Sequence, residues 1–357
     1  MAVRVHEQSD RPDEWRVRTY DRWVAAQKAP VVDGLAIADL NAVEVGPWEQ
    51  KGAAGAIVRL LGAEDMTGSY ILELEPAASA APQRHLYDEL VHVLSGRGFT
   101  TVWNDSGATT TFEWSAGALF AIPLNAHYQH HNASSTDKAR FVAVNNATIY
   151  MNLIHNLDFI FGCEHDFTDR FDDVRSFDGT GTQHGHRIWE TNFVADVNTL
   201  RLEHWAARGK SRNAMIELTN SSIGAHVSEF DVGTYKKAHR HGAGTHIVML
   251  SGEGYSLMWR EGEPVERVDW TPGAFIAPPD RWFHQHFNTG AEPARYLALR
   301  YNSRKWGLYK QYGVDKSVKQ GGDQIEYGDQ EPWTHKTFVE ECARRGVTVD
   351  MPQIPSP

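Results

Sequence analysis

The stretch "AHRHGAGTHIVMLSGEG", residues 238 to 254, contains two histidines that are separated by a single residue. Side chains alternate between the two faces of an extended strand, so His239 and His241 are expected to leave the same face. The apolar run "IVML" predicts a buried strand, and the Ser-Gly-Glu-Gly that follows predicts the turn that ends it. The two histidines therefore predict either half of a metal site or a polar outer face of a sheet.

The same pattern occurs twice in the chain, at a constant offset of 156 residues, as from His85 to His241. "QRHLYDELVHVLSGRG" (83–98) aligns with residues 239–254, and "WSAGALFAIPLNAHYQHHN" (114–132) aligns with "WTPGAFIAPPDRWFHQHFN" (270–288). One register held over two separated blocks indicates an internal duplication. Short apolar runs between Ser-Gly, Asp-Ser-Gly and Pro-rich turns make each copy a predicted β-sandwich or small barrel.

The segments outside the two copies predict a few short helices. "EWRVRTYDRWVAAQ" (14–27), "NTLRLEHWAARG" (198–209) and "TFVEECARRG" (337–346) are each expected to form one, whereas "FDGTGTQHGH" (177–186) is expected to be a loop. The predicted division of the chain is an N-terminal extension with a short helix at 1–45, a first barrel at 46–150, a bridging segment at 151–200, a second barrel at 201–302 and a C-terminal tail at 303–357.

The composition argues against several functional classes. The formal net charge is -11 and no block of lysine and arginine occurs, so nucleic acid is not an expected partner. Cys163 and Cys342 are far apart and form no CxxC pair, which argues against a disulfide framework or a thiolate metal site and fits the reducing cytoplasm. No apolar run approaches the roughly 18 residues of a membrane span. A cytoplasmic protein without a membrane partner is therefore expected.

The two blocks of each copy resemble the motifs of the cupins, G-x5-H-x-H-x3/4-E-x6-G and G-x5-P-x-G-x2-H-x3-N. The second copy matches them over 233–252 and 273–288, with Thr245 in place of the usual Glu and Arg281 in place of the usual Gly. The resemblance implies an all-β dominated fold of two tandem cupin barrels, which are double-stranded β-helix or jelly-roll barrels, with a few short helices. It also implies a homo-oligomer.

The resemblance further implies a metal in the second barrel, because cupins hold one with the two histidines and the Glu of the first motif and the histidine of the second. Carried over, this ligand set is His239, His241 and His284. Three neutral imidazoles suit a borderline ion such as Fe(II), and Mn, Zn and Ni remain alternatives. With Thr245 at the carboxylate position, the site is more positive by about one charge, which favours an anionic ligand.

This ligand set is similar to that of the gentisate 1,2-dioxygenase-like cupin dioxygenases. The similarity implies a ring-cleaving Fe(II) dioxygenase that acts with O2 on a small anionic aromatic or dicarbonyl substrate. Two alternatives stay open. One is a metal-dependent hydrolase, lyase or isomerase that does not use oxygen, and the other is a non-catalytic protein that binds or stores a small ligand.

Four further residues of the second copy are candidates for the site. His246 occupies the Glu position when the longer loop is counted from His241, which makes it a candidate fourth ligand. Arg281 and Arg295 are candidates for holding a substrate carboxylate through two parallel hydrogen bonds. Trp282, next to Arg281 in the second motif, is expected either to wall the substrate pocket or to fill the core.

The first copy has a degraded ligand set. Its four ligand positions carry Gln83, His85, Glu89 and Tyr128, and Gln and Tyr are weak ligands for Fe or Zn. The prediction for this barrel is a structural role, and the alternative is a second metal held by His85, Glu89 and His130 facing inward together. Another H-x-H, in "QHGH" at 183–186, lies in the predicted loop and is expected at the surface.

Overall fold

The fold consists mainly of β-strands that form two barrels, as a computed structural model of residues 18–63, 65–171, 177–308 and 316–352 shows. This confirms the predicted fold class. No helix within these ranges is both long and apolar enough to cross a membrane. The α-helices of the described ranges are α1 (Thr19–Gln27), α2 (Ala147–Ile154), α3 (Leu157–Gly162), α4 (Thr168–Phe171) and α5 (Pro332–Arg344).

The first barrel has an eight-stranded sheet and a three-stranded sheet. The strands of the larger sheet are β1 (Val31–Gly34), β3 (Gly46–Trp48), β4 (Ala53–Leu60), β5 (Gly68–Leu74), β6 (Glu89–Ser95), β9 (Leu119–Ile122), β11 (Ala139–Asn145) and β14 (Phe193–Val194). Their order is β1-β4-β5-β11-β6-β9-β14, with β3 beside β4. The smaller sheet, in the order β10-β7-β8, consists of β7 (Arg97–Trp103), β8 (Thr109–Ser115) and β10 (His127–Asn132).

The second barrel repeats this plan with a nine-stranded and a three-stranded sheet. The strands of the larger sheet are β2 (Ala36–Ile37), β12 (Thr182–His184), β13 (Ile188–Glu190), β15 (Glu203–His204), β16 (Ser211–Glu217), β17 (Gly224–Phe230), β18 (Thr245–Ser251), β21 (Phe275–Ile276) and β23 (Ala294–Arg300). Their order is β12-β13-β16-β17-β23-β18-β21-β2, with β15 beside β16. The smaller sheet, in the order β20-β19-β22, consists of β19 (Gly254–Trp259), β20 (Glu266–Trp270) and β22 (Phe283–Asn288).

Short strands from outside each predicted barrel complete the two larger sheets. β2, from the N-terminal extension, pairs antiparallel with β21 of the second barrel. β14, from the bridging segment, pairs antiparallel with β9 of the first barrel. Because a strand edge left open is available for pairing with another chain, these additions cover edges of both sheets and join the barrels to each other.

Alternate side chains of one strand point into the second barrel and towards the first barrel. On β18, Ile247 and Met249 belong to the interior cluster together with Trp270. The intervening residue Val248 belongs to a cluster that also contains Leu90 of the first barrel. The larger sheets of the two barrels therefore pack on each other, and each encloses its own core.

The duplication extends to a buried hydrogen-bonded trio. In the first barrel, Thr100 Oγ1 lies 2.8 Å from His130 Nδ1 and accepts a bond of 2.9 Å from Trp114 Nε1. Ser256, His286 and Trp270 repeat this trio in the second barrel, at 2.7 and 3.1 Å. Since the trio is present in both copies, it serves the barrel architecture, and His286 is part of the interior packing of the fold.

Two of the three predicted helices are present. α1 lies inside the predicted range 14–27, of which residues 14–17 fall outside the described residues. α5 covers most of 337–346 and begins earlier, at Pro332.

The helix predicted at 198–209 is wrong. Strand β15 pairs there with β16, and a 3-10 turn follows at 206–208. Backbone pairing with a neighbouring strand has overridden the local helix preference. In the predicted loop at 177–186, β12 forms a hairpin with β13.

Candidate metal centre

Three histidines converge at one end of the second barrel. His239 and His241 lie in the extended segment before β18, and His284 lies on β22. The backbones of His239 and His284 exchange two hydrogen bonds, of 3.1 and 2.8 Å, which brings the two motifs together. One ligand nitrogen from each ring lies within 4.8 Å of the other two, and no other such cluster of His, Cys, Asp or Glu occurs in the described ranges.

Backbone carbonyls hold all three rings in one orientation. Each Nδ1 faces the carbonyl oxygen of a residue one or two positions away along the chain, at 3.2 Å for His239, 2.9 Å for His241 and 3.3 Å for His284. A carbonyl oxygen can only accept, so these contacts assign the ring proton to Nδ1. Nε2 then carries the free lone pair, which is the tautomer that a metal-binding histidine needs.

The surroundings keep the three imidazoles uncharged. His284 is buried and the other two are half-buried. Burial is the main cause that lowers the pKa of His241 to about 4 and the pKa values of His239 and His284 well below the usual 6.5. The positive charge of Arg208 lowers all three further. Neutral, preoriented imidazoles form a donor set that fits a divalent transition-metal ion.

Buried histidines outside the triad predict a loss of stability in acid. Burial lowers the pKa of His92 to about 4, and of His130 and His246 to about 3. In the unfolded chain these groups take up protons below pH 6.5, whereas in the folded chain they remain neutral. The free energy of unfolding is therefore expected to fall as the pH drops from 6.5 towards 4, by about 1.4 kcal/mol per pH unit for each histidine.

Urea denaturation at pH 7.5 and pH 5.5 measures this loss. His92→Gln should reduce the difference between the two pH values, and His186→Gln, at an exposed histidine, should leave it unchanged. Equal free energies of unfolding at the two pH values would contradict the prediction.

The structure separates His246 from the triad, which corrects its candidacy as a fourth ligand. Its neighbour Thr245 is on the face of β18 that lines the barrel, so strand alternation turns the His246 ring towards the first barrel. There it stacks on Phe275 with ring centroids 4.9 Å apart, and its Nδ1 lies 3.5 Å from Thr67 Oγ1. His246 is thus a fully buried residue of the contact between the barrels.

Arg281 and Trp282 lie beside the triad. The backbone N–H of Arg281 donates to the carbonyl of His241 at 3.0 Å, and its guanidinium binds both carboxylate oxygens of Asp323, at 3.2 and 2.9 Å. Trp282 packs against the interior cluster of the second barrel, and it also lines, with Arg281 and Gly242, a cleft of about 660 Å³. Trp282 therefore fills core and walls a pocket at the same time.

Arg295 does not reach the triad. It alternates on β23 with Ala294 and Tyr296 of the interior cluster, so its side chain leaves the outer face of the sheet. Its guanidinium lies 3.2 Å from Glu229 and also binds the carbonyl of Leu200. This position corrects the interpretation of Arg295 as a partner of a substrate carboxylate at the triad.

The first barrel contains a buried lysine and a buried glutamate, bridged by tyrosine hydroxyls, where the second has its histidines. Glu89 Oε1 accepts hydrogen bonds from Tyr70 at 2.8 Å and Tyr128 at 2.9 Å, and Lys51 Nζ lies 3.2 Å from the Tyr70 hydroxyl. Burial would raise the pKa of Glu89, but the Lys51 ammonium and the hydrogen bonds hold it well below its usual range. The cation inside this barrel is therefore a lysine of the chain itself.

The three inward-facing candidates of the first barrel do not form a ligand group. His85 Nε2 bonds with the Tyr128 hydroxyl at 3.0 Å and lies 3.9 Å from Glu89 Oε1. His130 is engaged through its Nδ1 in the bond to Thr100 described above. In the part of the chain that the structure describes, the convergent arrangement belongs to the second barrel.

Two residues near the triad follow no motif and were not found from the sequence. Arg208 comes from the 3-10 turn before β16, and its Nη1 donates to the side-chain oxygen of Gln324. Both side chains are buried, with 2% of their surface exposed. Arg208 is distant along the chain from each of the three histidines, so only the fold brings it to them. The sequence indicated only that the site favours an anionic ligand, and this does not identify Arg208 or Gln324.

Comparison with known protein families supports the barrel assignment. The family model described as "Cupin domain" matches residues 70–145 of this chain, which is the first barrel. A glucose-6-phosphate isomerase of Thermococcus gammatolerans is 27% identical over 105 residues, which cover 28% of this chain and 56% of that protein. The match thus spans about half the length of this curated relative.

Solved structures of similar shape cover most of this chain. The oxalate decarboxylase of Lactobacillus farciminis, in a formate complex, superposes with a TM-score of 0.51 and 13% identity over 75% of this chain and 86% of its own. A Bacillus subtilis oxalate decarboxylase, studied for its Mn(II) centres, gives a TM-score of 0.51 and 13% identity over 87% and 84%. At this identity the likeness concerns the fold.

Proposed function

We propose that this chain, which belongs to the cupin superfamily and carries two cupin barrels in tandem, is a metal-dependent enzyme whose reaction centre is the histidine triad. The observation that carries the proposal is the convergence of three neutral imidazoles with Nδ1 fixed on backbone carbonyls. His239, His241 and His284 would hold Fe(II), with Mn, Zn or Ni as alternatives. When bound, such an ion supplies Lewis acidity and open positions for ligands, and iron also supplies redox chemistry.

The charge of the site favours a small anionic substrate. Thr245 occupies the position of the usual carboxylate, and the triad group contains no Asp or Glu among the described residues. The positive charges of Arg208 and Arg300 act on His241 and contribute to its low pKa. An ionised phenol, an enolate or a keto acid would supply the negative charge that the protein does not.

The reaction we propose is oxidation of that anion by O2, with cleavage of an aromatic ring or of a carbon-carbon bond between two carbonyls. In this reaction the chain binds and orients the reactants. The carbonyl-bound histidines fix the ligand geometry, and Trp282, two residues before His284, lines the neighbouring cleft. Arg281 and Arg240 both form ion pairs with Asp323, so the first role of Arg281 is structural.

A second candidate function is an isomerase or lyase reaction that needs the ion only as a Lewis acid. The sequence match to a glucose-6-phosphate isomerase favours it. The three imidazoles serve either reaction, because both require a divalent ion with open positions. Consumption of oxygen separates the two functions.

We expect the iron-loaded protein to consume O2 in proportion to substrate loss with at least one of gentisate, catechols, salicylates or β-diketones. An oxygen electrode and product analysis measure this. His241→Ala should abolish the uptake, because it removes a ligand, and His184→Ala, in the exposed H-x-H at 184–186, should leave it unchanged. Turnover without oxygen uptake would establish the second candidate instead. Stoichiometric metal with no turnover of phenols, keto acids or sugar phosphates would indicate a non-catalytic binding protein.

A further inference from the structure

A short segment of the C-terminal tail runs beside His239 and His241. The backbone N–H of Arg240 donates to the carbonyl of Asp323 at 3.0 Å, and that of Ile325 donates to Ala238 at 2.8 Å. His239 and Gln324 are paired opposite each other in this short antiparallel contact. The tail segment 323–325 therefore has a fixed register relative to the metal-binding histidine.

The side chain of Gln324 uses this register to hold Arg208. Its Nε2 donates to Glu326 Oε1 at 2.7 Å, which turns its Oε1 towards the guanidinium, and Arg208 Nη1 donates to that oxygen. The Arg208 guanidinium also lies over the ring of Trp205, 5.6 Å from the centroid. Lys237, two residues before His239, donates its backbone N–H to the Arg208 carbonyl at 3.3 Å. Arg208 is thus tied to the motif through its backbone and its side chain.

A buried guanidinium at this position affects anything that binds to the triad. An arginine stays protonated throughout the physiological range, and burial removes the solvent that would screen its charge. Its backbone is bonded to Lys237, two residues before His239, and its side chain to Gln324, opposite His239, so the field of its charge acts on the triad. The same field opposes a divalent cation and attracts an anion that binds next to it.

We propose that Arg208 is a positioning residue that sets the charge of the triad, and that Gln324 of the C-terminal tail holds it there. Arg208 weakens the binding of the divalent ion and strengthens the binding of an anion beside that ion. The second effect rests on the proposed function, because it concerns the substrate side of the centre. Thr245 and Arg208 act in the same direction, since one omits a negative charge and the other adds a positive one.

The test uses the full chain with Co(II) as the metal probe and azide as the anion probe, both followed by the visible spectrum of the cobalt centre. Arg208→Gln removes the charge and keeps a polar amide, and Arg208→Lys keeps the charge. We expect Arg208→Gln to bind Co(II) about 10-fold more tightly and azide about 10-fold more weakly than the wild type. Arg208→Lys should stay within about threefold of the wild type for both probes.

Opposite changes for the two probes are the signature of a charge effect, because a general loss of structure weakens both. Gln324→Leu releases the guanidinium without removing it, and we expect smaller shifts of the same two signs. If Arg208→Gln weakens Co(II) binding, or leaves both affinities unchanged while the wild type binds one Co(II) per chain, this inference is overturned and the proposed function stands. If the wild type binds no Co(II) at the triad, the proposed function itself is overturned, and the inference with it.

Discussion

His284→Ala is expected to lower the affinity of the chain for Fe(II) by at least about 100-fold. Removing a residue that only hydrogen-bonds to a metal ligand already lowers metal affinity by about 10- to 100-fold, and His284 is itself a ligand in this account. The physical reason is that one ligand nitrogen from each of three rings lies within 4.8 Å of the other two, and the variant leaves only two of these donors. No neighbouring side chain can replace the lost ligand, because the ligand group among the described residues contains only the three histidines. Elemental analysis of protein purified anaerobically measures the iron content per chain, and His239→Ala should give the same loss.

The matched control lies in the exposed H-x-H at residues 184–186. His184 and His186 are exposed, and the described residues offer them no third ligand, so His184→Ala and His186→Ala should retain about one iron per chain. Iron retained in both His239→Ala and His284→Ala would contradict the assignment and would direct attention to His85 and Glu89 of the first barrel.

Lys51→Met is expected to lower the free energy of unfolding by about 3 to 5 kcal/mol, which is the usual cost of leaving a buried charge without compensation. The ammonium of Lys51 is buried, and its loss leaves the Glu89 carboxylate inside the first barrel without its countercharge. The hydrogen bonds from Tyr70 and Tyr128 remain, but hydroxyl donors do not neutralise a charge. Urea denaturation of the apoprotein at pH 7.5 measures the effect.

Two further variants separate this effect from a general loss of packing. Lys51→Met combined with Glu89→Gln removes both charges, and we expect it to recover most of the lost stability. Lys138→Met removes an exposed lysine that pairs with Glu73 and Glu75, at 2.9 and 2.7 Å, and should cost less than about 1 kcal/mol. A cost of Lys51→Met no larger than that of Lys138→Met would contradict the account of the first barrel.

The two barrels meet the same structural requirement in different ways. Each places polar groups inside an apolar barrel, where an uncompensated charge is costly. The first supplies both charges from the chain, as Lys51 and Glu89. The second has Thr245 in place of Glu89, and it supplies three neutral imidazoles beside the buried guanidinium of Arg208. The second barrel therefore offers a convergent donor group where the first has a lysine and a glutamate bridged by tyrosine hydroxyls.

The duplication and the triad were predictable because the evidence for them is local. A constant offset over two separated blocks predicted two barrels, and the H-x-H spacing predicted that His239 and His241 share a face. His284 followed from the second motif by resemblance. Strand alternation alone also excludes His246, since it is adjacent to the inward-facing Thr245.

The remaining features depend on contacts between residues that are distant in the sequence. Arg208 reaches the triad through Gln324, and Lys51 reaches Glu89 across the first barrel, and neither pair has a spacing that a pattern search detects. The helix predicted at 198–209 failed for the same reason. Its residues pair with β16, and a local pattern contains no information about such a partner.

The most direct test of the central claim is the position of the bound ion. In crystals of cobalt-loaded protein, anomalous diffraction at the cobalt edge should give one strong peak per chain, about 2.1 Å from the Nε2 atoms of His239, His241 and His284. The first barrel should give none, because Lys51 already provides its cation. A peak beside Glu89 and His85, or no peak at the triad, would contradict the account.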